Sequence, residues 1–349
     1  MEPLANPAQT RQTTKPDRLP HETLDRDFGG PIARYLWMTR AAAFLICLGG
    51  AAAQNQTFRV QSKVVQTPVS VTDKNGHSVD GLTAADFTVL DEGMPQQVTL
   101  DTFDTGVAHI SLAIAIQSSR TSKLALAKIR RIGGMIQPIV TGLDGEAAVV
   151  TFDNEVKWLQ DFTRDDEKIR AAMKSLKAAP AARARMLDAV AEITERMKQR
   201  KGRKVLLLIS EGRDQGSEAK FQEVYDAVDR EGIEVFGARY SAYAMTWIAK
   251  SEDFPEKSDL DEMFYAQLFR FATTNHMRAL AVATGGSDYP FLRERGIEKV
   301  IEELGVEVHS QYILSFPQRE NAPGMHRIEV RVPTRSDVRI RARRAYWVE

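Results

Sequence analysis

The sequence predicts an α/β protein: a Rossmann-like parallel sheet with flanking helices, plus a β-rich domain built from the N- and C-terminal flanks. Three observations carry this expectation. His109 to Ser122 reads HISLAIAIQSSRTS, a charge-free apolar run from Ile110 to Ile116 that breaks abruptly into small hydroxyl residues. So short a run suits a strand buried on both faces better than a helix. From about Ala108 to about Leu304, strand and helix patterns alternate, as parallel strands joined by right-handed crossovers require. Both flanks show strand periodicity punctuated by turn residues instead.

Composition sets the limits. A chain of 349 residues with 43% hydrophobic and 27% charged residues can bury a core unaided. Lys plus Arg number 47 and Asp plus Glu number 47, so no global field draws the chain to nucleic acid, and a charged partner must be met locally. The one Cys, Cys47, lies in Met38–Gln54, MTRAAAFLICLGGAAAQ. There a basic start, an apolar core from Ala41 to Leu48 and the small residues Ala51-Ala52-Ala53 form the three parts of a secretory signal peptide. Residues 38–53 are therefore expected to be removed near Ala53, leaving an extracytoplasmic protein, periplasmic or secreted, with no membrane span in the mature chain. Residues 1–37 form a polar extension. We favour Met38 as the true start, the alternative being an internal or anchoring signal.

The elements follow in order. In the N-terminal β segment, 57–105, Val64 to Val71 is a strand and Asp73-Lys74-Asn75-Gly76 a turn. Phe87 to Leu90 and Val98 to Phe103 then read as a hairpin around Glu92-Gly93-Met94-Pro95. So few short strands cannot close a core alone. The C-terminal segment, 306–349, offers partners at Gln311–Phe316, His326–Val332 and Val338–Trp347, which would make one β-sandwich of the two ends. In the central domain, 106–305, the strand at Ile110 is followed by Leu124, Ile129, Ile132, Ile136 and Ile139 at helical spacing. Gly145–Phe152 is the second strand and Val156–Phe162 a short return strand. Helical patterns cover Asp166–Ala178 and Arg185–Lys198, with Leu187, Val190, Ile193 and Met197 on one face. Val205–Ser210 is a buried strand, Phe221–Arg230 a helix and Ile233–Tyr240 the next strand. Tyr243–Asp261 has no clear periodicity and reads as a surface loop. Leu268–Thr284 and Phe291–Leu304 are the last helices, separated by Gly285-Gly286 and a short strand.

Gln117-x-Ser119-x-Thr121 ends the first central strand, where ligands bind in open parallel sheets, and resembles the Asp-x-Ser-x-Ser metal loop of the von Willebrand factor type A domain. The resemblance implies two completing positions, a Thr before a helix and an Asp after the fourth strand; Ala184 and Glu211 align with them. The chain is similar in particular to the VWFA-related family of secreted bacterial proteins, of acidobacterial type. DKNGHSVDGLTAADFTVLDEG and RIRARRAYW resemble the family's ends, and VVTFDNEVKWLQDFT, LDAVAEI and VLLLISEGRDQGS its interior. The implied protein is a von Willebrand A-like binding or adhesion module that meets a protein partner.

A Mg²⁺ or Ca²⁺ site needs hard oxygens, with carboxylate charge offsetting the cost of dehydrating the ion. Gln117 keeps an oxygen but removes a full charge, Ala184 offers none, and Glu211 is a methylene longer than Asp. Ser119 and Thr121 are usable but neutral. A metal-free binding face, with no cofactor, is the expectation. The alternative is Mg²⁺-dependent adhesion through Gln117, Ser119, Thr121 and Glu211, with Asp214 as a second carboxylate. Asp214 and Asp188 otherwise serve a helix start or a loop. Arg183 and Arg185 are most simply solvated helix positions; they fall near this face and, if they line it, would favour an anionic group.

Catalysis finds little support. Ser210-Glu211-Gly212 has Leu208 where a nucleophile elbow wants Gly, so a hydrolase would need a His beside Ser210 in the fold. The six histidines show no metal-ligand spacing, His109 reads as structural, and no G-x-G-x-x-G or Walker pattern follows a strand. Arg339, Arg341, Arg343 and Arg344 alternate with Val338, Ile340 and Ala342, the pattern of a half-buried strand with a charged outer face, not a nucleic-acid stripe.

Overall fold

The computed structural model describes residues 64–101, 109–240, 275–291, 296–318 and 323–348. The signal segment, the loop at Tyr243–Asp261 and the first part of the helix expected over Leu268–Thr284 lie outside them. Among the described residues no helix is long and apolar enough to cross a membrane.

The N-terminal flank forms β1 (Val64–Thr72), β2 (Thr88–Asp91), β3 (Met94–Gln96) and β4 (Thr99–Asp101). The hairpin differs from the expected one: β2 turns back onto β3 through Glu92-Gly93, with φ of 48° and 77°. A two-residue turn of this hand needs positive φ at both positions, which Gly93 supplies without a Cβ penalty. Pro95 is tolerated because β3 is an edge strand and needs no further N–H donor. The residues expected to close the hairpin instead begin β4, which crosses to another sheet and pairs with Ile313–Ser315.

The centre runs β5 (Ile110–Gln117), α1 (Lys123–Ile129), β6 (Glu146–Phe152), β7 (Val156–Thr163), α2 (Asp166–Ser175), α3 (Met186–Met197), β8 (Arg203–Ser210), α4 (Phe221–Arg230), β9 (Ile233–Arg239), α5 (His276–Thr284), β10 (Asp288–Pro290) and α6 (Gly296–Ser310). Its six strands are ordered β10-β9-β8-β5-β6-β7. Only β7 is antiparallel to its neighbour. All of β5 is buried, because helices cover both faces of the sheet. Ile110, Leu112, Ile114 and Ile116 join the core on one face, and Ala113 and Ala115 the core on the other. The period of two thus divides one strand between two cores. The apolar spacing from Leu124 to Ile139 does not give one helix. α1 stops at Ile129, and short turns at Ile132–Gly134 and Gln137–Thr141 follow. Gly133, Gly134 and Pro138 interrupt the ladder there, while Ile129, Ile132 and Ile136 remain buried.

The C-terminal flank supplies β11 (Tyr312–Pro317), β12 (Gly324–Arg331), β13 (Arg339–Ala342) and β14 (Ala345–Val348). With the N-terminal strands they build two antiparallel sheets, β13-β1-β11-β4 and β14-β12-β2-β3. The two sheets share one apolar cluster containing Val69, Val89, Leu314, Phe316, Ile328 and Tyr346. The single strand expected over Val338–Trp347 is divided at Arg343-Arg344, one half in each sheet. Arg343 holds that corner: its Nη2 donates to Asp229 Oδ1 at 3.0 Å and its Nε to the Ala345 carbonyl. A buried polar seam lies between β1, the central sheet and α6. Glu307 accepts from Ser70 and Ser287 at 3.2 and 3.0 Å and pairs with Arg341 at 3.1 Å, and Arg203 pairs with Glu234 at 3.1 Å.

Candidate functional site

β5 and β8 are parallel neighbours, so their carboxyl ends deliver Gln117 and Glu211 side by side. Gln117 and Ser119 are buried, while Thr121 is exposed on the turn Arg120–Ser122 that opens α1. The Gln117 side chain reads both ends of Glu211. Its Oε1 accepts the Glu211 backbone N–H at 3.0 Å, and its Nε2 donates to Glu211 Oε2 at 3.3 Å. The same Nε2 donates to Ser119 Oγ at 2.8 Å and approaches Thr121 Oγ1 at 3.5 Å. Thr121 in turn donates to Glu211 Oε2 at 3.0 Å. Three oxygens from two loops therefore converge on one amide nitrogen, and the cluster is closed by the chain's own hydrogen bonds.

Ala184 and Asp214 do not join it. Ala184 is 1% exposed; its methyl packs in the core and its backbone pairs with Gln215, whose N–H donates to the Ala184 carbonyl at 2.8 Å. Asp214 Oδ1 accepts the Leu187 N–H at 2.9 Å and the Ser217 hydroxyl, satisfying one of the open donors at the start of α3. Asp188 receives the Glu218 and Ala219 N–H groups at 3.0 and 2.9 Å and pairs with Arg185. Both acids serve a helix start and a loop.

Ser210 is fully buried. Its hydroxyl meets the sulfurs of Met277 and Met186 at 3.5 and 3.7 Å and accepts the Gly212 N–H at 2.9 Å. His276 lies instead against Asp214, accepting its backbone N–H at 3.1 Å, and burial lowers its pKa, opposed by the Asp214 charge. Gly212 has φ +88°, and a Cβ there would lie 2.8 Å from Asn275 Oδ1, the group that caps α5. Only glycine lets the β8 loop pass this close to that helix start.

Sequence reasoning missed Ser118, Ser122 and Asp153. Asp153 is buried, accepts from Ser118 Oγ at 2.9 Å and the Glu155 N–H at 3.2 Å, and its carbonyl accepts the Arg185 N–H. An acid directly after the apolar run of β6 was the available signal. Tyr240 donates to Ser122 Oγ at 2.7 Å, and burial raises its pKa. Beside the cluster lies an open notch of about 520 Å³ lined by Asn154, Ala182, Arg183, Arg185, Gly216 and Glu218. Among the described residues no group of three or more His, Cys, Asp and Glu side chains is placed to hold a metal ion.

The six-stranded, mostly parallel sheet with helices on both faces is an α/β fold, carrying two small antiparallel sheets from its flanks. The structure is similar to BatB of Bacteroides thetaiotaomicron, with 14% identity over 57% of this chain and 98% of that one, at a TM-score of 0.42. It is similar to the vWF domain of the type V pili tip protein Mfa5 of Porphyromonas gingivalis, with 8% identity over 62% and 99%, at 0.41. Proximal thread matrix protein 1 of the mussel byssus, in a form with a zinc-occupied MIDAS motif, shares 12% identity over 59% of this chain, at 0.40. This chain covers 46% of that protein. No family model and no curated protein matches the sequence.

Proposed function

We propose that this protein is an extracytoplasmic binding module that recognises a protein partner without a metal ion, on a von Willebrand A-like scaffold of the VWFA-related type. One observation carries the metal-free reading: Gln117 Nε2 occupies the focus of Ser119 Oγ, Thr121 Oγ1 and Glu211 Oε2. An amide NH₂ donates where a cation would accept electron pairs, so its two N–H groups engage Ser119 and Glu211 without a charge. The donor set does not fit a divalent ion. Glu211 is its single carboxylate, position 184 contributes a methyl, and carboxylate charge is a main determinant of affinity at such sites. The signal-like segment Met38–Gln54 supports the extracytoplasmic placement. Binding is favoured over catalysis because Ser210 has two thioethers and an amide as neighbours, none of which can take its proton.

The test restores the missing ligands. Gln117→Asp, Ala184→Thr and Glu211→Asp together should create Mg²⁺-dependent thermal stabilisation absent from the parent, since only a competent folded site is stabilised by mass action. A parent stabilised by Mg²⁺ to the same extent as the triple variant would refute the metal-free reading.

A further inference from the structure

The loops at the carboxyl edge of the central sheet engage their acids internally and leave bases unpaired. Glu211 is held by Gln117 and Thr121, Asp153 by Ser118, Asp214 by Leu187 and Ser217, Glu155 by Lys157, and Glu218 by Arg185. Arg120, Arg183 and Arg213 are exposed on the same loops, and among the described residues their guanidinium groups make no hydrogen bond or ion pair.

Backbone pairing joins the loops that carry these three residues. The Arg120 N–H donates to the Ala181 carbonyl at 2.9 Å, and the Ala179 N–H to the Ser118 carbonyl at 2.7 Å. Ala184 bridges to Gln215 on the other side. The linker carrying Arg183 is thus stitched to the loop of Arg120 on one flank and to that of Arg213 on the other. Gly216 leaves room in the notch wall for Arg183: a Cβ on it would stand 3.1 Å from Arg183 Cδ. Arg185 lies in the same wall, already neutralised by Asp188 and Glu218 at 2.6 and 2.8 Å.

We propose that this notch docks an acidic segment of a partner protein, a partner carboxylate pairing with Arg183 while Arg120 and Arg213 flank it. The proposal rests on the binding-face reading above and gives it a partner chemistry. A guanidinium fork matches a carboxylate in two parallel hydrogen bonds, and unpaired arginines on adjoining loops give complementarity that fixes register and speeds encounter. Glu218, whose side chain is 88% exposed in the notch wall, interrupts the positive surface. That interruption suits discrete carboxylates on a peptide better than a continuous phosphate backbone.

Fluorescence anisotropy on the full chain tests this at low salt, using a short labelled peptide alternating Gly and Glu, its Gln analogue and a short single-stranded oligonucleotide. The Glu peptide should bind saturably and the Gln analogue should not. Arg183→Ala should weaken binding roughly tenfold, the size of one close charge pair at an interface, and Arg183→Lys should recover part of it. Thermal unfolding identical to the parent shows that each variant is folded. The proposal is overturned by no saturable binding of the Glu peptide, by equal binding of the Gln analogue, by preference for the oligonucleotide, or by unchanged affinity in Arg120→Ala/Arg183→Ala/Arg213→Ala. Any of these in a parent indifferent to Mg²⁺ leaves the metal-free reading standing, whereas a Mg²⁺ response in the parent removes that reading whatever the peptide does.

Discussion

Gln117 and Glu211 are joined at both ends of the glutamine amide: Oε1 accepts the Glu211 backbone N–H at 3.0 Å while Nε2 donates to its carboxylate at 3.3 Å. Because β5 and β8 are adjacent parallel strands, this pair ties together the two loops on which ligands of such sheets rest. The loops are set by the chain itself, so in the proposed binding role the face is formed in advance of a partner. Pre-organisation of this kind reduces the entropy lost on binding.

Gln117→Leu preserves the approximate volume and removes both amide functions. The Glu211 N–H then loses the Gln117 Oε1 acceptor, and Ser119 and Glu211 lose a donor. A buried polar group without a partner costs about 1–3 kcal/mol, so the variant should be destabilised by that order in denaturant unfolding. A stability equal to the parent's would mean that the amide does not hold these loops.

Asp214→Ala should cost about 1 kcal/mol, the typical loss of a helix N-cap acceptor, because Asp214 Oδ1 serves the Leu187 N–H at the start of α3. Urea unfolding measures this. Asp214→Asn, which keeps an acceptor oxygen, should recover most of the loss.

The sequence made β5, β6, β8, α3 and α4 legible because their apolar residues follow one period without interruption. Boundaries failed where several residues compete locally. Gly133, Gly134 and Pro138 broke an otherwise good helical spacing after Ile129, and Glu92-Gly93 closed a tighter hairpin than the strand pattern suggested. The division of the last strand at Arg343 depends on Asp229, far away in sequence, which no local pattern encodes. In the site, Gln117, Ser119, Thr121 and Glu211 were legible from the loop resemblance. That Gln117 would turn its nitrogen toward the oxygens, and that Asp214 would turn away to cap α3, depends on packing between loops from different strands.

Arg343→Ala should be among the more damaging surface-proximal changes. Asp229 is 2% exposed, and burial already raises its pKa against the pull of Arg343. Removing the guanidinium leaves a buried carboxylate without its cation, a loss of about 3–5 kcal/mol when a buried pair is broken. Calorimetric unfolding should show a clearly lowered Tm; a change within about 0.5 kcal/mol, the range of ordinary surface substitutions, would contradict the corner-anchoring role.

Glu234 supplies a pH-dependent test. Burial raises its pKa above the ordinary 4.5, and the Glu307 charge adds to this, while Arg203 and Gln311 oppose it. A carboxyl whose folded pKa is raised contributes stability that is fully present below its unfolded value and lost as pH rises through the folded one. Parent stability relative to Glu234→Gln should therefore fall as pH climbs above 4.5. Denaturant unfolding of both proteins across that range gives the slope; a rising difference would reverse the assignment.

If the Gln117 amide nitrogen holds the place among Ser119, Thr121 and Glu211 that a cation would need, no divalent ion should bind there. Isothermal titration of the purified protein with Mg²⁺, Mn²⁺ and Ca²⁺ at neutral pH decides this. No saturable heat is expected for any of the three ions. Saturable binding that disappears in Ser119→Ala would contradict it, since Gln117 would then have to give up the position it holds.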